Sequence, residues 1–286
     1  MSGGRASAPG SSFAPYLSVS LVLAALLSGC SPALRGSRPG PGLAADLGLD
    51  ADPGPAAEAG ALLATAGEAF SRRPDVGAVK EAARTFGRAA LADEKGIDGL
   101  LGLARATAWL VERERDGAAR ERLATAAVRA GEWCLARSPG NPACDYALAI
   151  AVGQQTRERP STAIDGVRQM QAALSRAIAG DERQDGAGPR RVLALLYLRA
   201  PGWPSGPGDP EAGLLEARRA VALFPDHPWN QLVLGEALEK TEDAAGAADA
   251  YRRALTLALS RSASGDPDSA DWAEQARKAL SRLGVE

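Results

Sequence analysis

The histidine chemistry open to this chain rests on one imidazole, His227, between Asp226 and Pro228. A Ser–His–Asp device would have to use it, and no Gly-x-Ser-x-Gly turn accompanies it. A metal site would need more ligands, yet no second His, no Cys-x-x-Cys and no carboxylate cluster at ligand spacing stands near. In a Pro-flanked turn, such an imidazole reads as a solvated loop residue. Gly-rich phosphate loops of the P-loop or dinucleotide kind are absent as well. The remaining reactive side chains are three cysteines, Cys30, Cys134 and Cys144. So thin an inventory leads us to expect no enzyme, no cofactor and no metal.

Cys30 closes an apolar run from Tyr16 to Leu27 through Leu27-Ser28-Gly29-Cys30, with Arg5 ahead of it. The run is too short to span a bilayer, for which a helix needs ~20 apolar residues, but it has the length of a signal-peptide core. Its end resembles the lipobox of bacterial lipoproteins. That resemblance implies cleavage before Cys30 and acylation of that residue, with residues 1–29 removed as signal peptide. Ser31 stands where an Asp would retain the protein at the inner membrane, so the implied place is the outer membrane, periplasm-facing. From 30 to 56 the chain is Pro/Gly/Ala-rich, as in Pro39-Gly40-Pro41-Gly42 and Pro53-Gly54-Pro55, and reads as a flexible tether.

The remaining residues, 57–286, must form the folded part. Net charge is −2, which gives no basic surface for nucleic acid. Lysine occurs only at 80, 95, 240 and 278, arginine supplying the other positive charges. Aromatics are scarce while Ala, Leu and Gly abound, so helices must pack on helices through small residues. No run alternates apolar with polar long enough to read as a strand.

A repeat emerges at Leu234-Gly235, Leu238, Ala247, Tyr251 and Ala254. These offsets match the tetratricopeptide repeat (TPR), in which small residues let two antiparallel helices approach and large ones fill the remaining space. One such pair cannot bury its own apolar face, so pairs must stack. Leu63, Ala66-Gly67 and Phe70 open a first pair, closed by Ala82, Phe86 and Ala89. Leu100, Leu103-Ala104 and Trp109 open a second, closed by Ala118 to Arg137 with Ala127, Gly131 and Cys134 on one side. Leu148-Ala149 and Val152 open a third, closed by Ile164 to Ile178, and Leu193-Ala194 with Tyr197 a fourth, closed by Ala217 and Ala220. The fifth spans 229–259, and Trp272, Ala276, Ala279 and Leu283 mark a capping helix. Asp75, Asn141, Ser161 and Asp209 are expected N-caps, the second and fourth followed by Pro at the first helical position. Pro139, Gly180 and Pro225 are expected stops. The fold expected is all-α, a solenoid of about five helix pairs.

From Gly188 the chain is similar to a narrower group. Gly188-Pro189-Arg190-Arg191-Val192-Leu193, Ala200-Pro201-Gly202-Trp203-Pro204 and Gly208-Asp209 resemble helical-repeat lipoproteins related to the T components of TRAP transporters. Gly131, Pro139 and Asn141-Pro142 fit the same pattern. The sequence departs from it at Ser205-Gly206-Pro207 and at Thr107, where an aromatic is usual. The resemblance implies a protein-binding scaffold or adaptor in the envelope, an accessory to periplasmic transport working beside a solute-binding protein. Its alternative is a carrier of a small apolar ligand. The membrane is then met through the lipid anchor alone.

In such solenoids the first helix of each pair lines the concave, binding face. That rule projects Arg105, Trp109, Tyr146, Ile150, Arg191, Trp229, Leu232 and Glu236 onto it, with Trp109 and Tyr146 equally placed to be core between repeats. Trp203, in a loop stiffened by three prolines, either anchors a contact or plugs the corner between two helices. Cys134 lies a turn before the stop at Pro139, and Cys144 in the first turn after Asn141. A tight turn brings both to the shared contact, where they form a disulfide in an oxidising compartment or serve as small core residues.

Overall fold

The fold is described from a computed structural model, which places residues 58–159, 161 and 163–285. Cys30, the signal peptide and the tether lie outside the described residues. The eleven helices run α1 Ala59–Ser71, α2 Val76–Ala92, α3 Asp98–Val111, α4 Gly117–Arg137, α5 Pro142–Glu158, α6 Ala163–Asp181, α7 Gln184–Arg199, α8 Pro210–Leu223, α9 Pro228–Lys240, α10 Ala244–Ala263 and α11 Ser269–Arg282. No strand occurs among the described residues, whose one β-like contact is an isolated bridge between Gly202 and Gly208.

The expected caps at Asp75, Asn141 and Asp209 accept hydrogen bonds from the first-turn backbone amides. Asp116 and Asp243 do the same for α4 and α10, so each of these helices begins with an orphan N–H satisfied locally. Two expected boundaries differ. Gly180 does not end α6, which continues one residue further to Asp181. The expected start at Ser161 falls beside Pro160 and Thr162, which lie outside the described residues, and the helix begins at Ala163.

Odd helices and the even helices that follow them pack as five antiparallel pairs, and α11 closes the last of these. Small residues set the crossings, as the sequence suggests. A Cβ on Gly131 would sit 2.9 Å from Leu148 Cα, and one on Gly235 would sit 2.5 Å from the Tyr251 ring. Thr107, standing where an aromatic is usual, is buried and turns its hydroxyl back onto the carbonyls of Leu103 and Ala104, at 2.7 and 3.1 Å. Apolar burial runs from pair to pair. Val79, Leu100 and Leu110 anchor the first cluster, Leu148 and Val152 the next, Leu174, Val192 and Leu193 the third, and Leu232, Tyr251 and Leu280 the last. Each such side chain contributes about 1.5–3 kcal/mol when fully removed from water. Cys134 and Cys144, both fully buried in the first cluster, are joined by a disulfide with Cα atoms 5.4 Å apart.

The two rows of helices differ. Consecutive odd helices touch one another along the whole series α1, α3, α5, α7, α9 and α11, whereas among the described residues no even helix reaches another even helix. The stack therefore curls with its odd helices on the inside.

Candidate functional site

The inner face is built from the odd helices. On α3, Arg105 is exposed and Trp109 half-buried, with the Arg113 guanidinium 3.7 Å above the indole ring. The indole Nε1–H is buried and has no acceptor. One helix on, Gln154 of α5 donates to the Ala108 carbonyl and to Glu112, both at 2.9 Å, while its own Oε1 is buried without a donor. Arg157 joins Glu112 at 3.0 Å, and Arg199 forks onto Glu236 at 2.8 and 2.7 Å. The Glu236 carboxylate, foremost by hydrogen bonding, lifts the Arg199 pKa above its ordinary value. Ile150 and Trp229 are half-buried between neighbouring helices.

Three residues projected onto this face are not surface at all. Leu232 is core of the last cluster. Tyr146 is buried and donates from its hydroxyl to Asp185 at 2.8 Å. Burial first, then the Asp185 charge, push its phenol well above the usual tyrosine range. Arg191 is fully buried despite its charge. Its Nη1 donates to the Gly186 carbonyl and to Asn230 Oδ1, at 3.1 and 2.8 Å. Its Nη2 donates to the carbonyl and the carboxylate of Asp185, at 3.1 and 2.9 Å, and its guanidinium lies 4.4 Å from the Trp229 ring centre. Asn230, equally buried, returns its amide to the carbonyls of Gly186, Ala220 and Phe224. The reason is the turn that opens α7. Asp185, Gly186 and Ala187 have φ of 50, 61 and 66°, a left-handed run that leaves the Asp185 and Gly186 carbonyls without helical partners. Arg191 and Asn230 supply them, which ties the third, fourth and fifth pairs together.

His227 is not a solvated loop residue. It occupies the N-cap position of α9 and packs its ring against Trp272 of α11, centroids 5.5 Å apart. Its Nδ1 is buried without a partner. Burial, then the Arg191 and Arg261 charges, bring its pKa down to about 4 against the opposing pull of Asp185 and Asp266. Trp203 is 90% exposed, so it plugs no corner. The loop beneath it is held by Gly208 N–H to Pro201 O at 2.8 Å and by Asp209 N–H to Tyr197 O at 2.9 Å.

Among the described residues, no group of three or more His, Cys, Asp or Glu could hold a metal, and no helix is long and apolar enough to cross a membrane. Two clefts among the described residues are open to solvent. One of about 340 Å³ is lined by Val111, Glu112, Glu114, Arg120, Arg157 and Glu158, and one of about 180 Å³ by residues 223–227 and Arg261. Four functional candidates escaped sequence reasoning: Gln154, Asp185, Asn230 and the Arg113 cover on Trp109. The turn dipeptide Asp185-Gly186 was the one local signal for any of them.

The sequence matches no protein-family profile and no curated protein. The fold, however, is similar to that of TTC0263, a thermophilic TPR protein of Thermus thermophilus, with a TM-score of 0.59 at 20% identity over 78% of this chain and 98% of that one. The MamA protein gives a TM-score of 0.43 at 16% identity, over 71% of this chain and 93% of that one. The first likeness establishes a TPR-type solenoid.

Proposed function

We propose that this chain is a lipid-anchored envelope scaffold that holds a partner polypeptide on the inner face of its odd helices. The observation that carries the proposal is the inner row itself, in which consecutive odd helices touch along the whole series and leave one continuous face. Exposed Arg105 and half-buried Trp109 and Ile150 add the mixed apolar and cationic contact such a segment requires. We assign the chain no catalysis. A carrier of an apolar ligand would need an enclosed apolar cavity, whereas the clefts at Glu112–Arg157 and at 223–227 are both open to solvent. The narrower form of the proposal, an accessory to periplasmic transport beside a solute-binding protein, rests on the resemblance of residues 188–209. The outer membrane rests on Cys30 and Ser31.

Two experiments test it. Metabolic labelling with an azido-palmitate should mark the wild-type chain and not Cys30→Ala. A Cys30→Ala chain that is still processed and still fractionates with membranes would overturn the anchor. In-cell cross-linking should capture a partner that Arg105→Glu and Gln154→Leu both lose while keeping wild-type circular dichroism. Undiminished capture by both variants would overturn the inner-face assignment.

A further inference from the structure

Side chains from the two ends of the solenoid meet. Arg73, in the turn after α1, forks onto Asp268 with Nε to Oδ1 at 3.0 Å and Nη2 to Oδ2 at 3.1 Å, across 195 residues of sequence. Its third nitrogen donates to the Phe70 carbonyl at 2.7 Å, and its guanidinium rests 3.8 Å over the Phe70 ring. Arg113, just past α3, pairs with Asp271 across 158 residues. No helix of the first two pairs packs against α11. Asp268 holds the N-cap position of α11 yet caps nothing with its side chain, its carboxylate being committed to Arg73. The same Arg113 covers the Trp109 ring, whose N–H is buried and unanswered.

We propose that Arg73, Arg113 and Trp109 form a binding site for an acidic polypeptide segment, with two carboxylates three positions apart at the start of a helix, and that α11 occupies this site in cis. This rests on the scaffold reading above and narrows its partner. The chemistry is read from the occupant: two preorganised guanidinium groups, each stacked on an aromatic ring, hold Asp268 and Asp271 in the first turn of a helix. The Arg73–Asp268 fork is bidentate, a geometry that selects a carboxylate, and Arg113 adds a single contact to Asp271. Displacing α11 from Arg73 and Arg113 opens the curl and uncovers the inner face.

The test uses the full chain and a fluorescein-labelled peptide of its own residues 266–285, followed by anisotropy. Asp268→Asn with Asp271→Asn removes the cis carboxylates without touching the apolar face of α11. The doubly substituted chain should bind the peptide at least tenfold more tightly than wild type, the factor carried by about 1.4 kcal/mol of lost cis competition. Adding Arg73→Gln and Arg113→Gln should erase that gain, as should a peptide with Asn at both acidic positions. Spin labels at Ser71 and Ala270 should move apart in the Asp268→Asn, Asp271→Asn chain. Equal affinity of wild type and the doubly substituted chain would overturn the proposal, and so would a gain that survives loss of both arginines. Neither outcome touches the Arg105 and Gln154 cross-linking, so the two readings fail separately.

Discussion

Replacing Arg191 with alanine should be among the most damaging single changes to the folded part, although Arg191 touches no partner. Its guanidinium is fully buried and makes four hydrogen bonds, two of them to carbonyls of the left-handed turn at 185–187. Truncation leaves Asn230 Oδ1 buried without a donor, which costs about 1–3 kcal/mol. It also removes the contacts of a large buried side chain against Trp229. Asp185 is half exposed and regains water, so the full penalty of an abandoned buried charge is not incurred. The total is about 3–5 kcal/mol. At roughly 2–4 °C per kcal/mol for a domain of this size, the melting temperature of the full chain should fall by about 6–20 °C. Arg191→Lys keeps the charge but cannot fork to Asp185 and Asn230 together, and should recover less than half of the loss. Calorimetry and circular dichroism read both. Hydrogen exchange should rise first at 185–187 and at the start of α9, the segments Arg191 and Asn230 hold. An Arg191→Ala chain within about 1 kcal/mol of wild type would show that the network is not what joins the third, fourth and fifth pairs.

Reduction of Cys134–Cys144, or Cys134→Ser with Cys144→Ser, should lower stability by about 3 kcal/mol, the chain-entropy value for a loop of this separation, as read by chemical denaturation with and without reductant. Gly131→Val should cost about 1–3 kcal/mol or more because its Cβ would meet the Leu148 backbone, while Gly60→Ala, with nothing within 4 Å, should gain or stay neutral. His227 should make stability pH-dependent. Its native pKa of about 4 lies below the ordinary 6.5, so between those values the unfolded chain binds the extra proton and stability falls as pH falls. The loss should reach roughly 1–2 kcal/mol after discounting for solvent access, and His227→Gln should flatten thermal melts over that window.

The solenoid was legible because its determinants are local. Leu234-Gly235 with Tyr251, the Asp and Asn caps and Asn141-Pro142 each act within one helix pair, and the structure places each where the spacing says. Exposure was legible where it follows helical position alone, as at Arg105. It was not legible at Arg191, and Tyr146 was left open between surface and inter-repeat core. Periodicity sees an arginine on a helix and assigns it to a surface, and for a tyrosine it leaves surface and core equally open. It cannot see that Asp185 lies 39 residues from Tyr146, or that Asn230 lies 39 residues from Arg191, to satisfy them in the core. His227 misled for the same reason, since its neighbour Trp272 comes from the cap helix.

The contact least accessible to sequence is also the one with the most functional content. In a solenoid each repeat adds a small rotation to the last, and stability is close to a sum of neighbour terms. Whether Arg73 meets Asp268 depends on that rotation accumulated over five pairs. A change anywhere along the stack, at the Arg191 turn above all, therefore alters the fit of the two ends without touching either. Partly exposed ion pairs contribute little when isolated, but here they stand where no helix packing holds the ends together. A weak contact at that place is suited to being exchanged: strong enough to favour the closed curl, weak enough for an incoming carboxylate pair to replace it. This gives the Arg191 substitution a second consequence. By loosening the angle between the third, fourth and fifth pairs, Arg191→Ala should raise binding of the 266–285 peptide at temperatures where the chain is still folded. If binding of the peptide stays at the wild-type level in a folded Arg191→Ala chain, the interior network and the clasp are energetically independent.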